Sequence, residues 1–292
     1  MTGRDGPAPA TVATADAYFD AVPRLDSDAI EVGPFTLFVS RTPWSYYARP
    51  ALTHPGAITG ADLDRLQKAC HRYDVDFALE WVDEVHPDLA QAVARAGLDV
   101  HTYALLAAVP DDVEVPAVPG VELRVVEAGD PALLDARALA NVAFDFGGCE
   151  RGGPGPVQRA EAVGRLSTGL VAHLEARARQ GLTITAVAES AAEGALATGS
   201  YQPVGAVAEI VGVATLPSAR RRGLAGAVTT LLAAHAYKSG VQTLLLSAQN
   251  DDVSRIYQRA GFRPIGTTHA AESTKPAPGA QALKSLPSTT SE

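Results

Sequence analysis

Residues Val211 to Gly226 read VGVATLPSARRRGLAG, and this stretch governs how the rest of the chain is understood. Its apolar run ends at Pro217. Three arginines follow from Arg220, and Gly223-Leu224-Ala225-Gly226 then opens a segment whose apolar residues Leu224, Val228, Leu231 and Leu232 recur at helical spacing. A strand therefore meets a glycine-bearing turn and then a helix N-terminus. Small residues there let a ligand approach the backbone, while unpaired N–H groups, the helix dipole and nearby guanidinium groups favour a bound phosphate. The stretch predicts an anion cradle.

A P-loop needs GxxxxGK[ST], and a dinucleotide fold needs GxGxxG with an acidic residue about 20 positions later; the cradle carries neither. It carries Arg220-x-x-Gly223-x-Ala225, which resembles the acyl-CoA pyrophosphate loop of the GCN5-related N-acetyltransferases (GNAT). A second block, Asn250 to Phe262, NDDVSRIYQRAGF, resembles the last block of that superfamily, in which an asparagine follows the fifth strand and a helix carries a tyrosine before Gly-Phe. Asn250, Tyr257, Gly261 and Phe262 fill those places. The resemblance implies an α/β fold of the mixed α+β kind, a central, mostly antiparallel sheet flanked by helices, with acetyl-CoA as cosubstrate. It assigns the thioester carbonyl to the backbone of Val213, Ala214 and Thr215. The phosphates fall to Arg220, Arg221, Arg222, Gly223, Leu224, Ala225 and Gly226, with Asn250 as a further cofactor contact.

Composition narrows the field less sharply. The 292 residues allow one large or two modest domains. No run of about 18 apolar residues and no basic-then-apolar start occurs, so neither a membrane span nor a signal peptide is expected, and two cysteines suit a reducing cytoplasm. The Pro-rich acidic stretch Pro110 to Gly120 reads as a linker, giving a first domain near 14–113, a linker at 114–120 and a second domain at 121–272. The tail at 275–292 and the first dozen residues read as disordered. Residues 1–115 hold 18 acidic and 8 basic residues, a balance that argues against nucleic acid and could attract a cationic amine, although a solvated acidic surface is the simpler reading. His71, Asp74, Asp76, His86 and Asp88 match no compact metal-ligand spacing, and no metal is expected.

The chain also repeats itself. Residues 88–98, DLAQAVARAGL, align without gaps on 252–262, DVSRIYQRAGF, 164 positions on. The same offset sets the helical pattern 61–73 beside 225–237 and the strand 77–82 beside 241–246. The first domain thus reads as a degenerate copy of the same half-fold. Val93 stands where Tyr257 stands in the second copy, and the helix of the first follows His54 to Gly60 without arginines, so that copy is expected to lack the cofactor site.

In the second domain, strands are expected at 121–127, 183–189, 195–201 and 207–216, with helices from Pro131 to about Val142 and over 157–180. The glycine-rich stretch between those helices reads as a mobile loop; the resemblance makes 144–156, with Phe144 and Phe146, acceptor contacts. Tyr201 and the aromatic segment Trp44-Ser-Tyr46-Tyr47 are further candidates for the acceptor pocket, the latter alternatively packing a domain interface. Glu209 is the candidate base, a lone carboxylate whose alternation along the strand sets it on one face with Val211, Val213 and Thr215. A structural carboxylate is the alternative. Tyr257 is the candidate acid for the departing thiolate, or a core tyrosine touching only the cofactor sulfur. The function expected is N-acetyl transfer from acetyl-CoA to a primary amine of a small molecule or peptide by direct attack, in a monomer or homodimer without nucleic-acid or membrane partners. Transfer of another acyl group and a non-catalytic acyl-CoA sensor are the alternatives.

Overall fold

The computed structural model describes residues 11–54, 56–108 and 114–272. The segments expected to be disordered, at the first residues to 10 and beyond 272, lie outside them, as do linker residues 110–113. The chain divides into two compact units, the first comprising the described parts of Met1–Ala108, Ser247–Ser254 and Arg263–Ala282, and the second those of Val109–Leu246 and Arg255–Phe262.

In the first unit the Thr11 hydroxyl accepts from Thr14 N at 3.1 Å and so caps α1 (Val12–Arg24). Strands β1 (Ser27–Val32), β2 (Phe35–Ser40) and β3 (Arg49–Pro50) form an antiparallel sheet. Helix α2 (Gly60–Arg72), β4 (Ala78–Val82), α3 (Leu89–Arg95) and β5 (Asp99–Ala108) follow. Helix α2 turns Leu63, Leu66, Ala69 and Cys70 inward, where they join Phe35, Leu37, Leu79, Trp81 and Val93 in one apolar core. Buried Arg49 reaches Asp16 at 3.1 Å and Glu80 at 3.0 Å and lies over the Phe19 ring, so β3, α1 and β4 share one desolvated charge network.

The second unit holds β6 (Glu122–Val126), α4 (Ala132–Phe146), α5 (Pro156–Val163), α6 (Thr168–Arg179), β7 (Ile184–Ser190), β8 (Gly194–Val204) and β9 (Val207–Thr215). A 3-10 turn at Pro217–Ala219 leads into α7 (Leu224–Lys238), β10 (Thr243–Ala248) and α8 (Asp251–Arg259), although Ser247–Ser254, the end of β10 and the start of α8, falls in the first unit. Its strands lie in the order β10-β9-β8-β7-β6, antiparallel except for β10 with β9. The expected mixed, mostly antiparallel sheet flanked by helices is therefore present. Gly199 on β8 lets α7 press close, because a Cβ there would lie 3.1–3.2 Å from Leu232, Val213 and Val228.

Three differences from the sequence reading stand out, and the two in the helices have local causes. The helix expected over 157–180 is two helices, because Ser167, in extended backbone, caps a new start by accepting from Leu170 N at 3.2 Å. Helix α4 continues beyond Val142 to Phe146 and stops at Gly147, whose φ is +67°. The last strand, β11 (Arg263–Glu272), does not stay with residues 121–262 as a contiguous domain would. It lies in the first unit, antiparallel between β4 and β5. The repeat itself is visible in the element order, helix-strand-helix-strand in both α2-β4-α3-β5 and α7-β10-α8-β11, and its final strands, 99–108 and 263–272, stand 164 residues apart.

Candidate functional site

Strand β9 carries the centre of the site. Its parallel ladder with β10 runs Thr243↔Val207, Leu244↔Ala208 and Leu245↔Glu209 and ends there, although both strands continue. The two strands thus part beyond Glu209, leaving the β10 side of the backbone over 213–215 outside that ladder. On the other side, β8 pairs Ser200 with Val211 and Thr198 with Ala214, so Gly199 faces two residues, Gly212 and Val213. This is a bulge, and Gly212 takes the left-handed conformation at φ +63°. The extra residue corrects the expected alternation. Glu209 and Val211 share a face with Ala214, whereas Thr215 turns to the other face. Glu209 is 6% exposed, at the apex where the strands part.

The three arginines have three different settings. Arg220 donates to the carbonyls of Ala143 (3.0 Å), Gly147 (2.8 Å) and Glu150 (3.0 Å) and lies over the Phe146 ring, and burial lowers its pKa. It ties the end of α4 to the cradle turn. Arg221, at φ +63°, reaches Glu150 Oε1 at 2.6 Å. Arg222 is exposed and makes no hydrogen bond or ion pair among the described residues. Gly223 is the N-cap of α7 at φ +78°, with no side-chain cap, and a Cβ on Gly226 would meet only Ile256 at 4.0 Å. An uncapped helix start beside a solvent-facing guanidinium, with space over its first turn, fits a pyrophosphate.

The segment read as a mobile loop is sewn to that turn. Gly152 N donates to Pro217 O and Ser218 N to Pro154 O, both at 3.0 Å, and Arg151 Nε donates to Ser218 O at 3.1 Å. Phe146 lies across Gly152, where a Cβ would come within 2.2 Å of its ring. Glu150, Gly152 and Ser218 were not singled out in the sequence, where only the glycine and proline density marks them.

Tyr257 on α8 is 8% exposed, its ring 6.4 Å from Phe262, and burial, with Cys149 as the second influence, raises its pKa. Asn250 caps α8, its Oδ1 accepting from Val253 N at 3.0 Å. Phe144 is half-buried. Tyr201 belongs to the layer between β8 and α7, with its hydroxyl 2.9 Å from His235 Nδ1, and is 1% exposed. That position removes it from the acceptor surface. Trp44 is buried, and Tyr46 donates to Asp26 Oδ2 at 3.1 Å, both within the first unit.

The family model described as FR47-like protein matches residues 187–270, from β7 into β11. No curated protein matches the sequence. Among solved structures, the chain is similar to a GCN5-related N-acetyltransferase from Kribbella flavida, with a TM-score of 0.67 at 22% identity over 92% of this chain and 98% of that one. It is also similar to a tandem GNAT protein from the clavulanic acid biosynthesis pathway, with a TM-score of 0.54 at 16% identity over 94% of this chain and 91% of that one. A functionally unknown conserved protein from Staphylococcus epidermidis ATCC 12228 gives 0.56 at 13% identity over 84% of this chain and 93% of that one. At such identities the likeness is one of fold. The chain thus has the tandem fold of the GCN5-related N-acetyltransferases, with an FR47-like segment at 187–270.

Proposed function

We propose that this chain transfers an acetyl group from acetyl-CoA to a primary amine of a small molecule or peptide, by direct attack within a ternary complex. The observation that carries the reading is β9 itself. One strand bears a buried carboxylate where its ladder with β10 ends, then the backbone of 213–215, and then runs into the uncapped start of α7.

Each group has a task suited to its setting. Acyl-CoA supplies the activated thioester. Arg222 and the first N–H groups of α7 hold the phosphates, and the N–H groups of 213–215 receive the carbonyl oxygen as charge develops on it. Glu209 accepts the proton of the amine, directly or through water, and Tyr257, protonated because it is buried, donates to the departing sulfur. The loop 147–155, pinned to the cradle turn, walls the acceptor side with Phe144 and Phe146.

Thiol release from acetyl-CoA, followed across a panel of amines and peptides with mass spectrometry of the products, tests the proposal. An acetylated amine formed in step with free CoA is the expected result. Tight acetyl-CoA binding with no thiol release for any amine would make the chain an acyl-CoA sensor instead.

A further inference from the structure

Glu209 has a polar neighbour in its own sheet to which the proposed chemistry gives no task. Beyond the bulge, β8 and β9 pair in continuous register, Ser200↔Val211, Tyr201↔Ile210 and Gln202↔Glu209. Residues directly opposite on antiparallel strands share a face, with Cβ atoms about 4.5–5.5 Å apart. Gln202 and Glu209 are 7% and 6% exposed, so amide and carboxylate leave water side by side. The other residues that flank Glu209 on this face are apolar: Val207 and Val211 along β9, and Leu245 opposite on β10. Strand β8 leaves Gln202 no choice of side. Tyr201 turns to the opposite face, where its hydroxyl lies 2.9 Å from His235 of α7. Pro203 follows and biases Gln202 to extended backbone. Ser200, two residues back on the face of Gln202, is engaged by the Thr185 hydroxyl at 2.8 Å. Helix α4 packs on both strands and carries three charged groups: Asp135, paired with Arg159 of α5 at 3.2 Å, Arg137, whose pKa burial lowers, and exposed Asp145.

We propose that Gln202 is a positioning residue for Glu209: its side-chain amide donates to one carboxylate oxygen, fixes the plane of the carboxylate and leaves the second oxygen to accept the proton of the amine. This inference rests on the reading of Glu209 as proton acceptor. A carboxylate offers two acceptor oxygens and a glutamine amide two N–H donors, so one bond between them satisfies the pair and still leaves an oxygen for the incoming amine. The bond also favours the ionised form of a carboxyl group that burial would otherwise push toward the neutral one. Gln202 itself carries no proton away and touches no reacting atom; it acts through Glu209.

The test needs no acceptor. Full-length protein labelled with 13C at the glutamate side-chain carboxyl is titrated by NMR, the Glu209 signal being identified by its loss in Glu209→Gln. Gln202→Met, close in size but without the amide, should move the titration midpoint of Glu209 up by about one pH unit or more, because a lost donor disfavours the charged form. Gln202→Asn, which keeps the amide on a shorter arm, takes its place if the Met protein does not fold by circular dichroism, and should move the midpoint in the same direction. In the unaltered protein labelled with 15N-glutamine, the side-chain N–H signal of Gln202 should change with the midpoint of Glu209. An unmoved midpoint in a folded variant, or a Gln202 signal indifferent to that titration, overturns the proposal. Thiol release from acetyl-CoA with the amine panel, measured on Glu209→Gln, separates the two readings. Slowed release with an unmoved midpoint defeats the positioning role alone, and ordinary release defeats the base assignment and leaves Gln202 and Glu209 a structural pair.

Discussion

Glu209 is buried where β9 and β10 part, and pH distinguishes what it does there. As the proton acceptor, its replacement by Gln lowers kcat/KM by roughly 10²-fold or more, with acetyl-CoA affinity nearly unchanged. That deficit shrinks at high pH, where the amine is already deprotonated. Tyr257→Phe slows sulfur departure instead, and its loss persists as pH rises through the pKa of the amine. A Glu209→Gln variant of near-normal rate at pH 7 dismisses the base assignment, and a uniform loss at every pH makes Glu209 a positioning group. The arginines separate in a second experiment. Arg222→Ala should raise the acetyl-CoA Kd about tenfold or more, as loss of a charge-assisted contact worth roughly 1.5–3 kcal/mol requires. Arg220→Ala should in addition speed hydrogen exchange across 147–155, because three carbonyls of that region and of α4 lose their shared donor. Unchanged calorimetric affinity in a folded Arg222→Ala protein removes the phosphate assignment. In the sequence the three arginines are indistinguishable, since what separates them is a φ of +63° at Arg221 and the distant carbonyls that Arg220 meets.

The two copies of the cradle helix start differently. Helix α7 starts at a bare Gly223, but α2 starts at Thr59, whose N–H (3.0 Å) and hydroxyl (2.7 Å) both donate to the Asp62 carboxylate. Those bonds hold the Asp62 pKa below the usual carboxylate value, so its charge sits at the N-terminus and repels phosphate there. Gly226 holds the equivalent place in the second copy, with room for a side chain. Gly226→Asp should therefore move affinity and stability in opposite directions. Acetyl-CoA binding falls about tenfold or more, while the helix gains roughly 0.3–1 kcal/mol from an acidic residue in its first turn. Calorimetry and thermal unfolding of one sample read both, and retained affinity refutes the cradle. The helix-strand order around this element was legible because apolar spacing and glycine placement are local. The bulge was not read, although Gly212 inside a strand is the residue type that permits one, and missing it set Thr215 on the wrong face. The clamp on loop 147–155 was also hidden, because its bonds join residues about 65 positions apart.

At the scale of the whole molecule, the repeat is two half-folds that are not two contiguous domains. Strand β11 ends the second copy in sequence but lies between β4 and β5 in the first unit, an arrangement no linear boundary conveys. A chain ending at residue 262 leaves β4 and β5 without the strand that joins them, with exposed ladder edges on both. Such a chain should lose amide protection across β4 and β5, and full protection there would show that the first unit does not need β11. Function divides between the copies differently from strands. The first differs at each place that the proposed cofactor site uses in the second: Val93, wholly buried in the core, stands for Tyr257, the Asp62 carboxylate closes the helix start, and no arginine precedes it. Its core and its buried Arg49 network with Asp16 and Glu80 serve stability, so Arg49→Ala should cost about 3–5 kcal/mol by taking the shared cation from two buried carboxylates. A titration with acetyl-CoA should consequently reach saturation at one equivalent per chain, and Gly226→Asp should abolish that single transition without revealing another. Asp62→Gly, which reopens the helix start of the first copy, should not create a second transition, since the arginines and the tyrosine remain absent. Two equivalent sites in the unaltered protein would overturn the assignment of the first copy as a scaffold.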